Sequence, residues 1–211
     1  MGSLERRARD REQTRRKILD AAREMFVRQG YEATTMRAIA REIEYTPTAL
    51  YHHFENKEAL LTEISTVDFR ALAAAFLRIG RVADPLERLS RIGEAYVEFA
   101  RAHPMQYQLM FMTPRPSKLA HKSGVIRGDP SEDAYAFLRQ SCAEAVATGK
   151  LRPEIDDPDL LAQMLWGAQH GIVSLQIAKE HDDWIAWRDV RATARAAGGA
   201  MIRGLLRAPA D

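Results

Sequence analysis

The stretch from Thr35 to Lys57, TMRAIAREIEYTPTALYHHFENK, constrains the fold more than any other part of the chain. It reads as two short helices joined by a tight turn, followed at once by the start of a third. Thr35 is a good N-cap, and Met36, Ile39, Ala40 and Ile43 recur after it with helical spacing. Thr46 repeats the cap. Pro47 takes the first helical position, where its missing N–H costs nothing. Leu50 and Phe54 point into a small core, and Asn56 caps the helix that starts near Lys57. Upstream, a helix over 12–29 puts Ile18, Ala22, Met25 and Phe26 on one face. Gly30 stands just past its end, and Tyr31 is placed to fold back onto that face.

The remainder also has helical period, with no convincing alternating strand. A helix over 57–79 carries Leu60, Leu61, Ile64 and Phe69. Three Asp-Pro pairs then read as helix starts: Asp84-Pro85, Asp129-Pro130 and Asp157-Pro158. Glu87 and Glu132 follow their caps by three residues, as in a capping box. Helices are thus expected over 85–102, 105–112, 130–148, 158–180 and 183–207. The intervening TPRPSKLAHKSGVIRG, residues 113–128, reads as a mobile loop. The fold class is all-α with about nine helices: an N-terminal three-helix helix-turn-helix domain (1–58) followed by a helical C-terminal domain (59–211).

The eighth helix is apolar on two sides. Leu161, Leu165, Ala168, Ile172 and Leu175 form one stripe; Leu160, Met164, Gly167 and Gly171 form another. A small domain's surface helix needs one buried face, so the second is expected to meet a second subunit. The ninth helix contains Ala196, Ala197, Gly198, Gly199 and Ala200 in a row. Each interior glycine costs about 1 kcal/mol relative to alanine. Close helix–helix approach would offset that, and a plain kink is the other reading.

Composition excludes more than it selects. Apolar residues make up 46% of the 211 and charged residues 28%, enough for a sizeable core and against a disordered chain. The single cysteine, Cys142, excludes an intramolecular disulfide and reads as a small core residue. No run reaches the ~18 apolar residues that span a bilayer, and the N-terminus lacks a signal-peptide pattern. No membrane partner is expected, and the expected location is cytoplasmic. Net charge is only +2, yet residues 1–17 hold seven basic and three acidic side chains. Such an arm attracts phosphates, or is simply a solvated end.

From Lys17 to Leu61 the run KILDAAREMFVRQGYEATTMRAIAREIEYTPTALYHHFENKEALL resembles the TetR family of transcriptional regulators. The Gly-Tyr pair, Thr35, Ile39-Ala40, the Leu50-Tyr51-x-His53-Phe54 run and Lys57-Glu58 all fall in family register. The LWGAQHG run, Leu165 to Gly171, is similar to the Trp…His-Gly signature of one C-terminal subgroup. One departure lies in the turn, where a small residue and Gly are usual and Ile43 and Glu44 stand here. A left-handed Glu44 would cost about 1–2 kcal/mol.

In a helix-turn-helix the second helix enters the major groove by its N-terminal end. Thr46, Pro47, Thr48 and Ala49 occupy that end, where hydroxyls suit bases or phosphate and methyl groups suit thymine. Tyr51, His52 and His53 follow on the outer surface and suit phosphate oxygens; the resemblance implies phosphate contacts for Tyr51 and His53. Thr35 and Lys57 stand at helix N-termini, which favour anions. Arg37 is the candidate for a guanine or backbone contact. For Thr35 and Thr46 simple capping is the other role, and the two are compatible. His52 and His53 point apart and form no metal site. The partner is double-stranded DNA with a pseudo-palindromic site, read by a homodimer formed through the eighth and ninth helices.

The resemblance further implies a small-molecule pocket among the fourth to eighth helices. Tyr96, Phe99, Tyr107, Met110, Phe111, Phe137, Met164, Trp166 and His170 are the candidates to line it, all of them equally readable as core. Aromatic and Met walls suit an apolar effector, and binding would release DNA by favouring a wider separation of the heads. The expected protein is a homodimeric repressor with no cofactor, catalytic residue or metal. A ligand-independent DNA-binding protein is the alternative. A helical-bundle enzyme is disfavoured because paired Glu-x-x-His, phosphate-loop, Gly-x-Ser-x-Gly and zinc motifs are missing from the sequence.

Overall fold

The computed structural model describes residues 3–119 and 123–207. Among these the elements are α1 (Ser3–Gln29), α2 (Met36–Glu42), α3 (Pro47–Tyr51), α4 (Lys57–Leu77), α5 (Pro85–Ala102), α6 (Pro104–Phe111), α7 (Ala134–Ala147), α8 (Pro158–Ala178) and α9 (Val190–Leu205), with a 3-10 turn at Ser117–Leu119. The one extended contact among the described residues is an isolated antiparallel bridge between Leu151 and Leu206. The all-α expectation holds.

The chain packs as two compact units, one of residues 1–68 with 105–124 and one of 69–104 with 125–211. The units therefore change within α4, just after α6 begins and again after Gly124. In the first unit Ile18, Ala22, Phe26, Ile39, Leu50, Leu60 and Ile64 are fully buried together. Tyr31 does fold back, its ring 5.4 Å from that of Phe26. Leu109 of α6 and Leu119 of the 3-10 turn join the same core. That corrects the expectation of a mobile loop over 113–128 for its described part. Arg115 donates to Ser65 Oγ at 2.9 Å and to the Leu109 carbonyl at 3.2 Å, and the Gly124 N–H donates to Thr66 Oγ1 at 2.7 Å. Residues 120–122 lie outside the described residues.

The caps at Thr35, Thr46, Asn56, Asp84 and Asp157 form as expected. The pair Asp129-Pro130 does not start a helix. Asp129 takes the Ser131 N–H in a turn, and Asp133 caps α7 instead, accepting from Tyr135 and Ala136. Glu132, expected in a capping box, binds the Arg70 guanidinium at 2.9 Å. The ninth helix likewise starts at Val190 behind the cap Asp189, not near 183. α1 begins at Ser3, nine residues earlier than expected, so the basic arm is helical.

The α2–α3 turn is the irregular point, as its sequence suggested. Glu44 has φ 61°. Its N–H donates to the Arg41 carbonyl at 3.1 Å and that of Tyr45 to the Ala40 carbonyl at 2.8 Å. These two bonds make a Schellman stop, with glutamate at the position that glycine normally fills. Glu44→Gly is expected to raise the stability of this unit by about 1 kcal/mol in urea unfolding, by removing the left-handed strain. An unchanged midpoint would show that the strain is relieved elsewhere.

In the second unit α5, α7, α8 and α9 bury Ile92, Val97, Ala100, Leu138, Cys142, Leu161, Val173 and Ala194. Burial pushes the Cys142 thiol up to about 12, so it is an inert core residue. The buried face of α8 is Leu161, Ala162, Gln169 and Val173. Leu175, expected on that face, is 52% exposed. Gln169 donates to the Ala194 carbonyl at 3.2 Å. A Cβ at Gly198 would lie 2.9 Å from its Nε2, so that glycine serves the close approach of α9 to its own α8.

Candidate nucleic-acid interface and effector region

Local chemistry builds the α2–α3 surface. Thr35 Oγ1 accepts from the Ala38 N–H at 3.1 Å and Thr46 Oγ1 from the Ala49 N–H at 3.2 Å. Each hydroxyl keeps its own proton for another acceptor. With Met36, Ile39, Ala40 and Leu50 buried inward, Thr35, Arg37, Thr46, Pro47, Thr48, Tyr51 and His52 stand exposed, and Ala49 is half-buried. Tyr51 is 51% exposed on a helix of five residues, which its packing does not require.

Two expected contact residues are held differently. Lys57 is half-buried, and its ammonium donates to the Tyr31 and Thr34 carbonyls at 2.7 and 2.8 Å. It also lies 4.1 Å from the centre of the Tyr31 ring. It clamps the α1–α2 loop. His53 is half-buried, with Nδ1 fully enclosed and unpartnered. Burial lowers its pKa, and Arg11, Arg15 and His52 lower it further. The neutral ring therefore best carries its proton on Nε2, as a donor suited to a phosphate oxygen.

Arg15, not singled out by its sequence context, anchors this edge. Its guanidinium pairs with Glu63 at 2.9 Å, sits 4.5 Å over the Phe54 ring and reaches the His53 carbonyl at 3.4 Å. A second missed group is a buried polar cluster. Asp68, fully buried, receives two N–H bonds from Arg23 at 3.0 and 2.8 Å and one from Gln106 at 2.9 Å. Arg23 also binds Asp20 at 2.7 Å. This cluster ties α1, α4 and α6 within one unit. Its signal was legible, since Asp68 interrupts the i,i+4 column Leu60, Ile64, Leu72, Phe76 on α4.

The nine expected effector residues divide between the units. Tyr107, Met110 and Phe111 belong to the first, where Tyr107 is fully buried and its ring meets that of Phe111 at a tilt, 5.1 Å between centres. The other six belong to the second. There Tyr96, Trp166 and His170 come together: the Trp166 indole donates to Tyr96 Oη at 3.1 Å, and that hydroxyl meets His170 Nδ1 at 3.1 Å. The indole is a donor only, so Tyr96 Oη accepts that bond. Burial lowers the His170 pKa. Phe137 packs on Phe76 at 6.2 Å, Phe99 on His103 at 5.1 Å, and Met164 is half-buried.

Residues 18–64 match the family model "Bacterial regulatory proteins, tetR family", and residues 89–201, more than half of the chain, match "Tetracyclin repressor-like, C-terminal domain". The chain belongs to the TetR family. It is a DNA-binding transcriptional regulator. The HTH-type transcriptional regulator UidR of Escherichia coli (strain K12) is 28% identical over 174 residues, covering 79% of this chain and 85% of UidR. Among solved structures, the fatty acid degradation regulator FadR from Bacillus halodurans superimposes with TM-score 0.74 at 19% identity, covering 92% of this chain and 97% of that one. AibR, solved in complex with isovaleryl coenzyme A and operator DNA, superimposes with TM-score 0.67 at 24% identity, covering 91% and 97%. No described helix of this TetR-family chain is long and apolar enough to cross a membrane.

Proposed function

We propose that this TetR-family chain is a cytoplasmic homodimeric repressor without enzymatic activity. Residues 1–58 read the operator, and residues 59–211 dimerise and bind a small apolar effector that releases the DNA. The observation that carries the DNA part is the outer row of Arg37, Thr48, Tyr51 and His52, exposed on a helix pair whose inner side is fully buried. Thr46, Pro47, Thr48 and Ala49 face base edges. Tyr51, His52, His53 and Arg37 hold phosphates, with Thr35 and the N-terminal turn of α4 at Lys57 beside them. In the effector part Tyr96, Trp166 and His170 form the polar anchor. The Phe99, Phe137 and Met164 side chains of the same unit supply the apolar wall.

Selection of bound duplexes from a random pool tests both parts. A single pseudo-palindromic site should emerge, and an added apolar compound that binds the second unit should abolish recovery. Tyr51→Ala and Arg37→Ala are each expected to weaken that site by about 1–3 kcal/mol while leaving thermal unfolding unchanged. Recovery of no preferred sequence at physiological salt would end the repressor reading. Collapse of either variant would show that the surface assignment is wrong.

A further inference from the structure

Residues 5–13 of α1 are exposed on every side. An isolated helix of that length is marginal in water, and here it is prolonged from the packed part of α1. Its charges are sorted. Arg7, Arg11 and Arg15 follow one another at four-residue spacing, which puts them on one face. Arg15 shows where that face points, because its guanidinium lies on the Phe54 ring and the His53 carbonyl, at the C-terminal end of the reading helix. Glu63 neutralises Arg15. Arg7 and Arg11 have no carboxylate partner among the described residues. The acid Glu12 is taken by Arg16 at 3.3 Å, on another face.

We propose that the exposed N-terminal part of α1 is a second DNA-contacting element, in which Arg7 and Arg11 bind backbone phosphates flanking the groove that α3 enters. This rests on the DNA reading above and adds a partner surface to it. From Arg15 to Arg7 the track is about 12 Å long, a length over which duplex DNA carries about seven charges. The arginines continue outward from His53, itself a phosphate donor, so the track prolongs the same phosphate line. Because phosphates carry no sequence, the element adds affinity and not selectivity.

The test is the salt dependence of binding of the full chain to a long mixed-sequence duplex, measured for the wild type and for Arg7→Ala with Arg11→Ala. The double variant should flatten the plot of log K against log salt by about 1.8 for each head bound, since each phosphate contact contributes about 0.9. Arg7→Lys with Arg11→Lys should restore the slope. The sequence preference found in pool selection should be the same in all three. An unchanged slope in the double variant overturns the proposal and leaves α3 as the reader. A wild type that binds the duplex without preference, but loses slope in the variant, overturns the operator reading and keeps the track. A wild type that binds no duplex overturns both.

Discussion

Asp68→Asn is expected to destabilise the first unit by about 3 kcal/mol, the low end for breaking a buried pair, because it removes the buried counter-charge of Arg23 and leaves only the exposed Asp20 carboxylate 2.7 Å away. The Arg23 side chain is 7% exposed and that of Asp68 fully buried. The asparagine amide can accept one N–H from Arg23, but it cannot offset the positive charge. Arg115 worsens the balance. It is half-buried in the same unit, its Nε is enclosed without a partner, and burial lowers its pKa against the attraction of Asp68. Trp166, Trp184 and Trp187 all belong to the second unit, so indole fluorescence is blind to this loss. Hydrogen exchange in α1 and in the first turns of α4 reads it directly, and protection there should fall about 10²-fold. The double substitution Arg23→Met with Asp68→Leu should recover much of it, since a well-packed apolar pair replaces a buried ion pair at little cost. Exchange unaltered by Asp68→Asn would mean that water already solvates the cluster.

The contrast between the caps and this cluster explains which parts of the fold were legible in the sequence. Thr35, Thr46, Asn56, Asp84 and Asp157 bind N–H groups two or three residues ahead of themselves, so the information is local. Asp129-Pro130 has the same local chemistry as Asp84-Pro85 and starts only a turn. What differs lies far off: Arg70, 62 residues earlier, draws Glu132 away, and Asp133 takes over the cap. Lys57 follows the same rule. Its position at a helix start favours an anion outside, yet three carbonyls between Tyr31 and Thr34, more than 20 residues back, hold its ammonium. The outward row on α2 and α3 was legible because helical period separates Arg37, Thr48 and Tyr51 from Ile39, Ala40 and Leu50. The residues expected to line an effector site were not separable from core, because an aromatic side chain buried for packing and one buried against a cavity follow the same period. Three of them, Tyr96, Trp166 and His170, are joined by hydrogen bonds that helical period does not encode.

Glycine usage on α8 leads to the second large effect. Gly198 has its reason inside the chain, in Gln169. Gly167 and Gly171 have none, for a Cβ added at either would meet no atom within 4 Å. Each costs the helix about 1 kcal/mol against alanine, and both are exposed, in line with exposed Leu160 and Leu175. On α9 the exposed residues Ala192, Ala196, Ala200 and Gly204 follow the same four-residue spacing. Two exposed small-residue faces suit close packing of four helices about a two-fold axis. Gly167→Leu combined with Gly171→Leu is therefore expected to yield a folded monomer, with helix content and Trp fluorescence close to those of the parent. Its affinity for the selected pseudo-palindrome should fall about 10²–10⁴-fold, because the second half-site then has to be bound from solution. Affinity for an isolated half-site should hardly change. Sedimentation equilibrium reads the mass. A variant that stays dimeric and keeps full operator affinity would move the interface away from α8 and α9, and the two glycines would then be without a physical explanation.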